Sequence, residues 1–505
     1  MNRACRLGDT AAEVGPQVHS VVAIRDAIEA GRADPAGVLA AVAARHHATH
    51  PGLNALIQPR LEAADADARA AGAGPLRGVP VSVKECFPVA GLRTTLGIDA
   101  RRDAVDATDA AVVTRLKAAG AVVVGKANVP QAMLLHETDN PVWGRTNHPR
   151  DASRGPGGSS GGDAALVAAG VVPLALGNDL AGSLRQPAHA CGVAAIMPRS
   201  TALGEGGACD TMPHLAAVRP RAGFLARAVA DLRPALAAVG VPTAPVAAES
   251  LRIGWWDDAG PIPASAAVRR AVHEAVAGLT AAGCRVEPRD GGVAREAAWL
   301  LMAIVSADGG ADIRRLLAGS RPIAGVGRLL RLARLPHGIR PLVAAGARLC
   351  GRFVEAEAVV RTGPRDAAGL AALLAARESL RSRFAAEMAG LDALVCPVSA
   401  LPALRHGTAA RLVLAAAPCL LANLFDLPAG AVPVTTVRPD EESGRGFALD
   451  PVLRAAAATD RGSRGLPVGV QVVGGPGADE SAVLGAMQAI EEAARGCPCP
   501  ESRRC

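Results

Sequence analysis

Gly155-Pro156-Gly157-Gly158-Ser159-Ser160-Gly161-Gly162 is followed by an apolar run and then by Gly177-Asn178-Asp179-Leu180-Ala181-Gly182-Ser183-Leu184-Arg185-Gln186-Pro187. Between these two glycine-rich loops, Asp163–Gly170 predicts an apolar helix and Val171–Leu176 a buried strand. Glycine lets backbone N–H groups approach a ligand closely. A serine at the end of such a loop can attack a carbonyl while neighbouring N–H groups hold the oxyanion. Ser159 and Ser183 stand in those places, and the chemistry then needs a base. Lys84 is the nearest upstream candidate, in Gly78-Val-Pro-Val-Ser-Val-Lys-Glu-Cys-Phe87. A lysine ending an apolar strand, Val79–Val83, invites explanation, because a buried ammonium is costly unless it is paired or neutral.

Outward from this stretch the pattern is that of an α/β protein. Val18–Ala30, Asp34 to about His47, and Leu61–Ala71 predict three leading helices, with Asp34 as N-cap and Pro35 in the first turn. Asp109–Gly120 predicts an amphipathic helix and Ala121–Val124 the strand after it, a helix–strand step. Asn128–Trp143 reads as loop with helix. Leu251–Trp255, Arg285–Pro288, Ala393–Cys396, Ala431–Val437 and Val468–Val473 predict strands; Ser265–Gly283, Glu378–Met388 and Asp479–Arg495 predict helices. Arg438–Gly462 reads as an exposed excursion. Residues 1–16 read as a loose arm, 17–496 as one domain, and 497–505 as a disordered tail.

Composition excludes several functions. Half of the 505 residues are hydrophobic, enough for a large core, and no run is long enough to span a bilayer. The net charge is +7, but aromatics are 2% and tyrosine is absent, so no base-stacking surface and no nucleic-acid partner are expected. The eleven cysteines show no zinc-ligand spacing. Met1–Ser20 lacks a signal-like apolar run, so free thiols in a reducing, cytoplasmic setting are expected.

Lys84, Gly157–Gly162 and Asp179-Leu180-Ala181-Gly182-Ser183 resemble the amidase signature family, most closely its fatty-acid amide hydrolase branch. Val83–Phe87, Asn128–Leu134, Leu251–Gly254, Asp426–Val437 and Gly465–Gln471 carry the same resemblance, with residues 78–200 as the signature region. The resemblance implies an α/β/α fold with a large mixed sheet of about 11 strands between helices. It implies an acyl-enzyme amidase with Ser183 as nucleophile, Ser159 as bridge with a cis peptide bond, and Lys84 as the ultimate base. The backbone N–H groups of Leu180, Ala181, Gly182 and Ser183 would form the oxyanion hole. Met133 and Leu134 would line the acyl site, while Asp179 and Arg185 would brace the loops. No metal or cofactor is implied. The partner is a small-molecule amide, and a homodimer is left open. Two alternatives stand beside this reading: a glutaminase subunit of a tRNA-dependent amidotransferase, which Arg185-Gln186-Pro187 fits, and a non-catalytic acyl-amide binder.

The chain departs from the family at Ala181, where glycine is usual, at Asn178, where threonine is common, and at Ala195 and Met197-Pro198-Arg199. None of these is expected to touch Lys84, Ser159 or Ser183. A Cβ at residue 181 is a concern if that position needs a positive φ. Residues 321–353 hold Arg321, Arg328, Arg331, Arg334, Arg340, Arg348 and Arg352, no acidic residue, and apolar positions from Val326 to Val343, with Pro336 dividing two helical pieces. Such a basic amphipathic segment can lie in a membrane interface. In the related hydrolases the corresponding region is a hydrophobic cap at the substrate entrance.

Overall fold

The computed structural model describes residues 19–258 and 260–496. The expected arm at 1–16, residues 17–18 and the expected tail at 497–505 lie outside the described residues. Eleven strands form one sheet: β1 (Leu56–Pro59), β2 (Pro80–Lys84), β3 (Val122–Ala127), β4 (Leu174–Asp179), β5 (Ala194–Met197), β6 (Arg221–Ala226), β7 (Arg252–Trp255), β8 (Arg285–Pro288), β9 (Ala393–Pro397), β10 (Ala429–Thr436) and β11 (Pro467–Gly474). Their order is β1-β3-β2-β4-β6-β5-β10-β11-β9-β7-β8. The sheet is mixed: β3, β2 and β4 run parallel, β6 is antiparallel to β4 and β5, and β9, β7 and β8 are again parallel.

Successive side chains of a strand point to opposite faces. Every residue of β2, β3, β4, β6, β9 and β11 is buried, so the middle of the sheet is covered on both faces. This is the burial that helix-covered parallel strands show. Helix Gly161–Ala168 packs on β2 and β4, and helix Arg185–Cys191 on β5, β10 and β11. Helices Ala266–Ala281 and Glu480–Gly496 pack on each other and on β10 and β11.

Several boundaries differ from the pattern reading. Helix Gly161–Ala168 starts two residues early, because Gly161 and Gly162 enter its first turn, and β4 is displaced toward Asp179. Helix Ala367–Glu387 is longer than its apolar C-terminal half suggests, being capped by Asp366, whose carboxylate accepts Gly369 N–H at 2.7 Å. The stretch 438–462 is not an excursion throughout: helix Pro451–Asp460 buries Val452, Ala456, Thr459 and Asp460. Within residues 321–353, Pro336 does divide two helices, Ala324–Ala333 and Arg340–Leu349. Their exposed face is not the one the spacing suggests. Val326 and Leu330 are buried, and so is Arg340, whose guanidinium donates to the carbonyls of Leu332, Leu335 and Val359. Among the described residues no helix is long and apolar enough to cross a membrane.

Candidate active site

The site lies where β2 and β4 end side by side. They are parallel neighbours with Val83 opposite Leu176, so Lys84 arrives next to Asn178. In an open α/β sheet this carboxyl edge is the usual place for a ligand crevice. Ser82 and Lys84 project to one face of β2. Ser82 donates to Asp163 Oδ1 at 3.0 Å, and Lys84 Nζ reaches Ser159 Oγ at 2.8 Å. Nζ also donates to Asn178 Oδ1 at 2.7 Å and to Asn178 O at 3.3 Å. The two Asn178 oxygens can only accept, whereas the Ser159 hydroxyl can donate to Nζ as well as accept from it. Asn178 therefore does touch the lysine, contrary to the expectation for that departure.

Lys84 is fully buried, and burial holds its pKa below the ordinary lysine value. Nearby Cys86, Asp163 and Asp179 act the other way. Burial also pushes Asp163 up to about 7, and its Oδ2 is buried with no hydrogen-bond partner among the described residues.

The first serine loop is fixed by close packing. The Gly158–Ser159 peptide is cis. A Cβ on Gly158 would lie 2.5 Å from Leu135 O, so only glycine permits that approach. Gly158 N–H donates to Gln186 Oε1 at 3.1 Å, and Thr138 Oγ1 donates to Gly157 O at 2.9 Å. The two serine loops are joined directly, Ser160 N–H donating to Ser183 O at 3.0 Å. Ser159 is 2% exposed and Ser183 9%, so Ser183 is the more accessible.

Asp179 organises the second loop. Its carboxylate accepts Gly182 N–H at 2.7 Å and Leu184 N–H at 3.1 Å, and it pairs with Arg185 Nε and Nη2, both at 3.0 Å. Arg185 reaches on to Cys419 O, Gln471 Oε1 and Asn423 Oδ1. The Arg185 guanidinium and the N–H donors hold the Asp179 carboxyl well below the usual range against the effect of burial. Two expectations change here. Gly182 N–H is committed to Asp179 and is removed from the oxyanion donors. The N–H groups of Leu180, Ala181 and Ser183 meet no protein acceptor among the described residues. The positive φ of the loop falls on Gly182 (+95°) and not on Ala181, so the alanine is unstrained there.

His136 is the residue that pattern reading missed. Its Nε2 lies 3.1 Å from Ala181 O. Met133 and Leu134 are partly buried in the same segment, and Met133 has a φ of +57°. Gln131 fastens this segment to the start of the 321–353 stretch: its amide donates to Arg321 O at 2.9 Å and accepts Ile323 N–H at 2.8 Å. Away from the site, His214, Asp308 and Asp312 bring three ligand-type atoms within 4.8 Å of one another. Those carboxylates are already engaged, by Arg315 and by the N–H groups of Gly310, Asp312 and His214.

Strand order, two glycine-rich serine loops at one strand end and the family match over most of the chain put the protein in the amidase-signature class, hydrolases of amide bonds. The chain belongs to the Amidase family, which it matches over residues 37–483. It is 33% identical to the fatty-acid amide hydrolase 1 of Sus scrofa over 435 residues, 82% of this chain and 75% of that protein. It is 31% identical to the fatty acid amide hydrolase 1 of Caenorhabditis elegans over 447 residues, 84% and 77% of the two chains. A solved fatty acid amide hydrolase shares the fold with a TM-score of 0.81 at 20% identity, covering 95% of this chain and 85% of its own.

Proposed function

We propose that this enzyme hydrolyses a linear acyl amide through an acyl-enzyme on Ser183, with Ser159 and Lys84 completing a Ser-Ser-Lys triad. The observation that carries the reading is the 2.8 Å contact between Ser159 Oγ and a fully buried lysine whose pKa burial depresses. A neutral lysine amine can take a proton near neutral pH, which an ordinary exposed lysine cannot. Lys84 receives the Ser159 hydroxyl proton as Ser159 takes that of Ser183. Ser183 Oγ then bonds to the substrate carbonyl carbon. The resulting oxyanion faces the N–H groups of Leu180, Ala181 and Ser183. Ser159 hands a proton to the amide nitrogen and takes one back from Lys84, the oxyanion re-forms its carbonyl, the C–N bond breaks and the amine leaves. Water then attacks the ester by the same relay and frees Ser183.

The acyl side of the substrate is favoured by two observations. The relatives of which this chain covers three quarters are fatty-acid amide hydrolases. The cap that Gln131 fastens to the Met133–Leu134 segment borders a half-open, mainly apolar cavity of about 550 Å³, lined by Leu329, Leu332, Leu335, Val343, Val359 and Leu414 among others; Met133, Leu134 and Ser183 are not in its lining. The same reading gives the cap a second role, reversible contact with a lipid surface.

Ser183→Ala tests the nucleophile. The variant should take up no fluorophosphonate label and should lose about 10³-fold or more of its turnover of a long-chain acyl amide. Labelling at the unmutated level would remove Ser183 from the role.

A further inference from the structure

We propose that His136 is a positioning residue, whose imidazole N–H holds the Ala181 carbonyl and thereby aims the oxyanion loop. The proposal rests on Ser183 being the nucleophile. A carbonyl oxygen can only accept, so the 3.1 Å contact places the imidazole proton on Nε2 and leaves a lone pair on Nδ1. Burial supports that neutral form, pushing the His136 pKa down to about 4.

The carbonyl in question belongs to the peptide between Ala181 and Gly182. The N–H end of the same peptide donates to Asp179 Oδ1 at 2.7 Å. One peptide plane is thus pinned at both ends, by a histidine from one segment and a carboxylate from another. The pinning matters because the next residue is Gly182, at φ +95° with no Cβ. Glycine offers little resistance to rotation of a flanking peptide. Rotation there changes ψ of Ala181 and φ of Gly182, and where the two do not cancel it alters the angle between the flanking peptides, which carry the N–H groups of Ala181 and Ser183. Those are donors that meet no protein acceptor among the described residues. The backbone that carries His136 is itself fixed against the other serine loop: a Cβ on Gly158 would lie 2.9 Å from Glu137 N and 3.2 Å from His136 C. One segment therefore touches both loops, and its side chain sets the orientation of the second.

Aligned donors stabilise charge that develops only in the transition state, so their loss lowers kcat more than it raises KM. His136→Phe keeps a ring and removes the donor; His136→Gln restores an N–H near the place of Nε2. With a medium-chain acyl p-nitroanilide as probe, His136→Phe should lower kcat about 10- to 100-fold with KM within about 3-fold. His136→Gln should return kcat to within about 3-fold of the unmutated enzyme. His136→Leu gives the same reading if the phenyl ring prevents folding, as judged by thermal melting. An unchanged kcat in His136→Phe, or a His136→Gln variant as impaired as His136→Phe, overturns the proposal. If Ser183→Ala abolishes turnover while His136→Phe keeps kcat, the nucleophile stands and the positioning role falls. If Ser183→Ala keeps turnover, both fall.

Discussion

Lys84 and Asp163 are each pushed toward the neutral form by burial on one side of β2, and each pulls the other toward its charged form. The remaining groups near the lysine are fixed in charge. Asp179 stays ionised against Arg185, and Cys86 stays a thiol because burial raises it to about 12. Lys84 acts as a base only when neutral, so turnover should rise with pH through its depressed pKa. Asp163→Asn keeps an acceptor for the Ser82 hydroxyl and removes the negative charge that favours the ammonium. The acidic limb of the kcat/KM profile should therefore move to lower pH, and a limb that stays in place or moves upward would contradict this assignment. Stability gives an independent readout. The folded pKa of Asp163 is raised from 3.8 to about 7, so the folded state holds the extra proton in that window. Its stabilising contribution is present at low pH and is lost as pH rises through about 7. Denaturant unfolding of Asp163→Asn across this window should lack that component of the slope.

At the scale of elements, the second serine loop divides its requirements between two adjacent residues. Gly182 combines a φ of +95° with a close approach: a Cβ there would sit 2.9 Å from Cys419 Cβ. Gly182→Ala should cost about 1–2 kcal/mol from the backbone conformation alone, and should lower turnover strongly because the loop must move to relieve the contact. Ala181→Gly should leave turnover within about 3-fold, since no Cβ strain exists to remove. Parallel assays of the two variants check the contrast, and equal losses would show that position 181 is constrained after all. How far these features are legible in the sequence follows from how local their causes are. β2, β7, β9, β11 and helix Ala266–Ala281 carry their own apolar periodicity and are readable. β1, β5 and β6 are four to six residues long, and β5 reads Ala-Ala-Ile-Met; pairing with distant partners makes them strands. The loop glycines and serines announce themselves. Asn178 and His136 do not, because their meaning comes from Lys84 and Ala181, 94 and 45 residues away in sequence.

Over the whole molecule, one surface is unlike the rest. Leu342, Leu349 and Phe353 are 77%, 90% and 60% exposed on the second half of the cap, and Phe447 and Leu449 are 92% and 68% exposed on a separate loop. The two stretches meet: Val354 N–H donates to Asp450 Oδ2 at 2.9 Å, and a Cβ on Gly351 would lie 3.4 Å from Leu449 Cβ. Large apolar side chains gathered on one face mark an interaction surface. The same cap carries Arg331 and Arg334 without a carboxylate partner among the described residues, while Arg328 and Arg352 are paired with Glu355. Apolar burial combined with unpaired basic charge is what holds a peripheral protein on an anionic bilayer. The protein should therefore sediment with vesicles containing phosphatidylserine at low salt and less with vesicles of phosphatidylcholine alone. Raising the salt should weaken binding, because the ionic part is screened over about 8–10 Å near physiological strength. Leu342→Glu/Leu349→Glu/Phe353→Glu should reduce sedimentation at low salt and spare turnover of a short-chain amide, since all three side chains are exposed. Leu329→Glu/Leu330→Glu is the weaker test, because Leu330 is buried and its loss would disturb the cap itself. Equal sedimentation of the triple variant and the unmutated protein would detach this surface from lipid, and a change in oligomeric state on the same substitutions would assign it to a second copy of the chain.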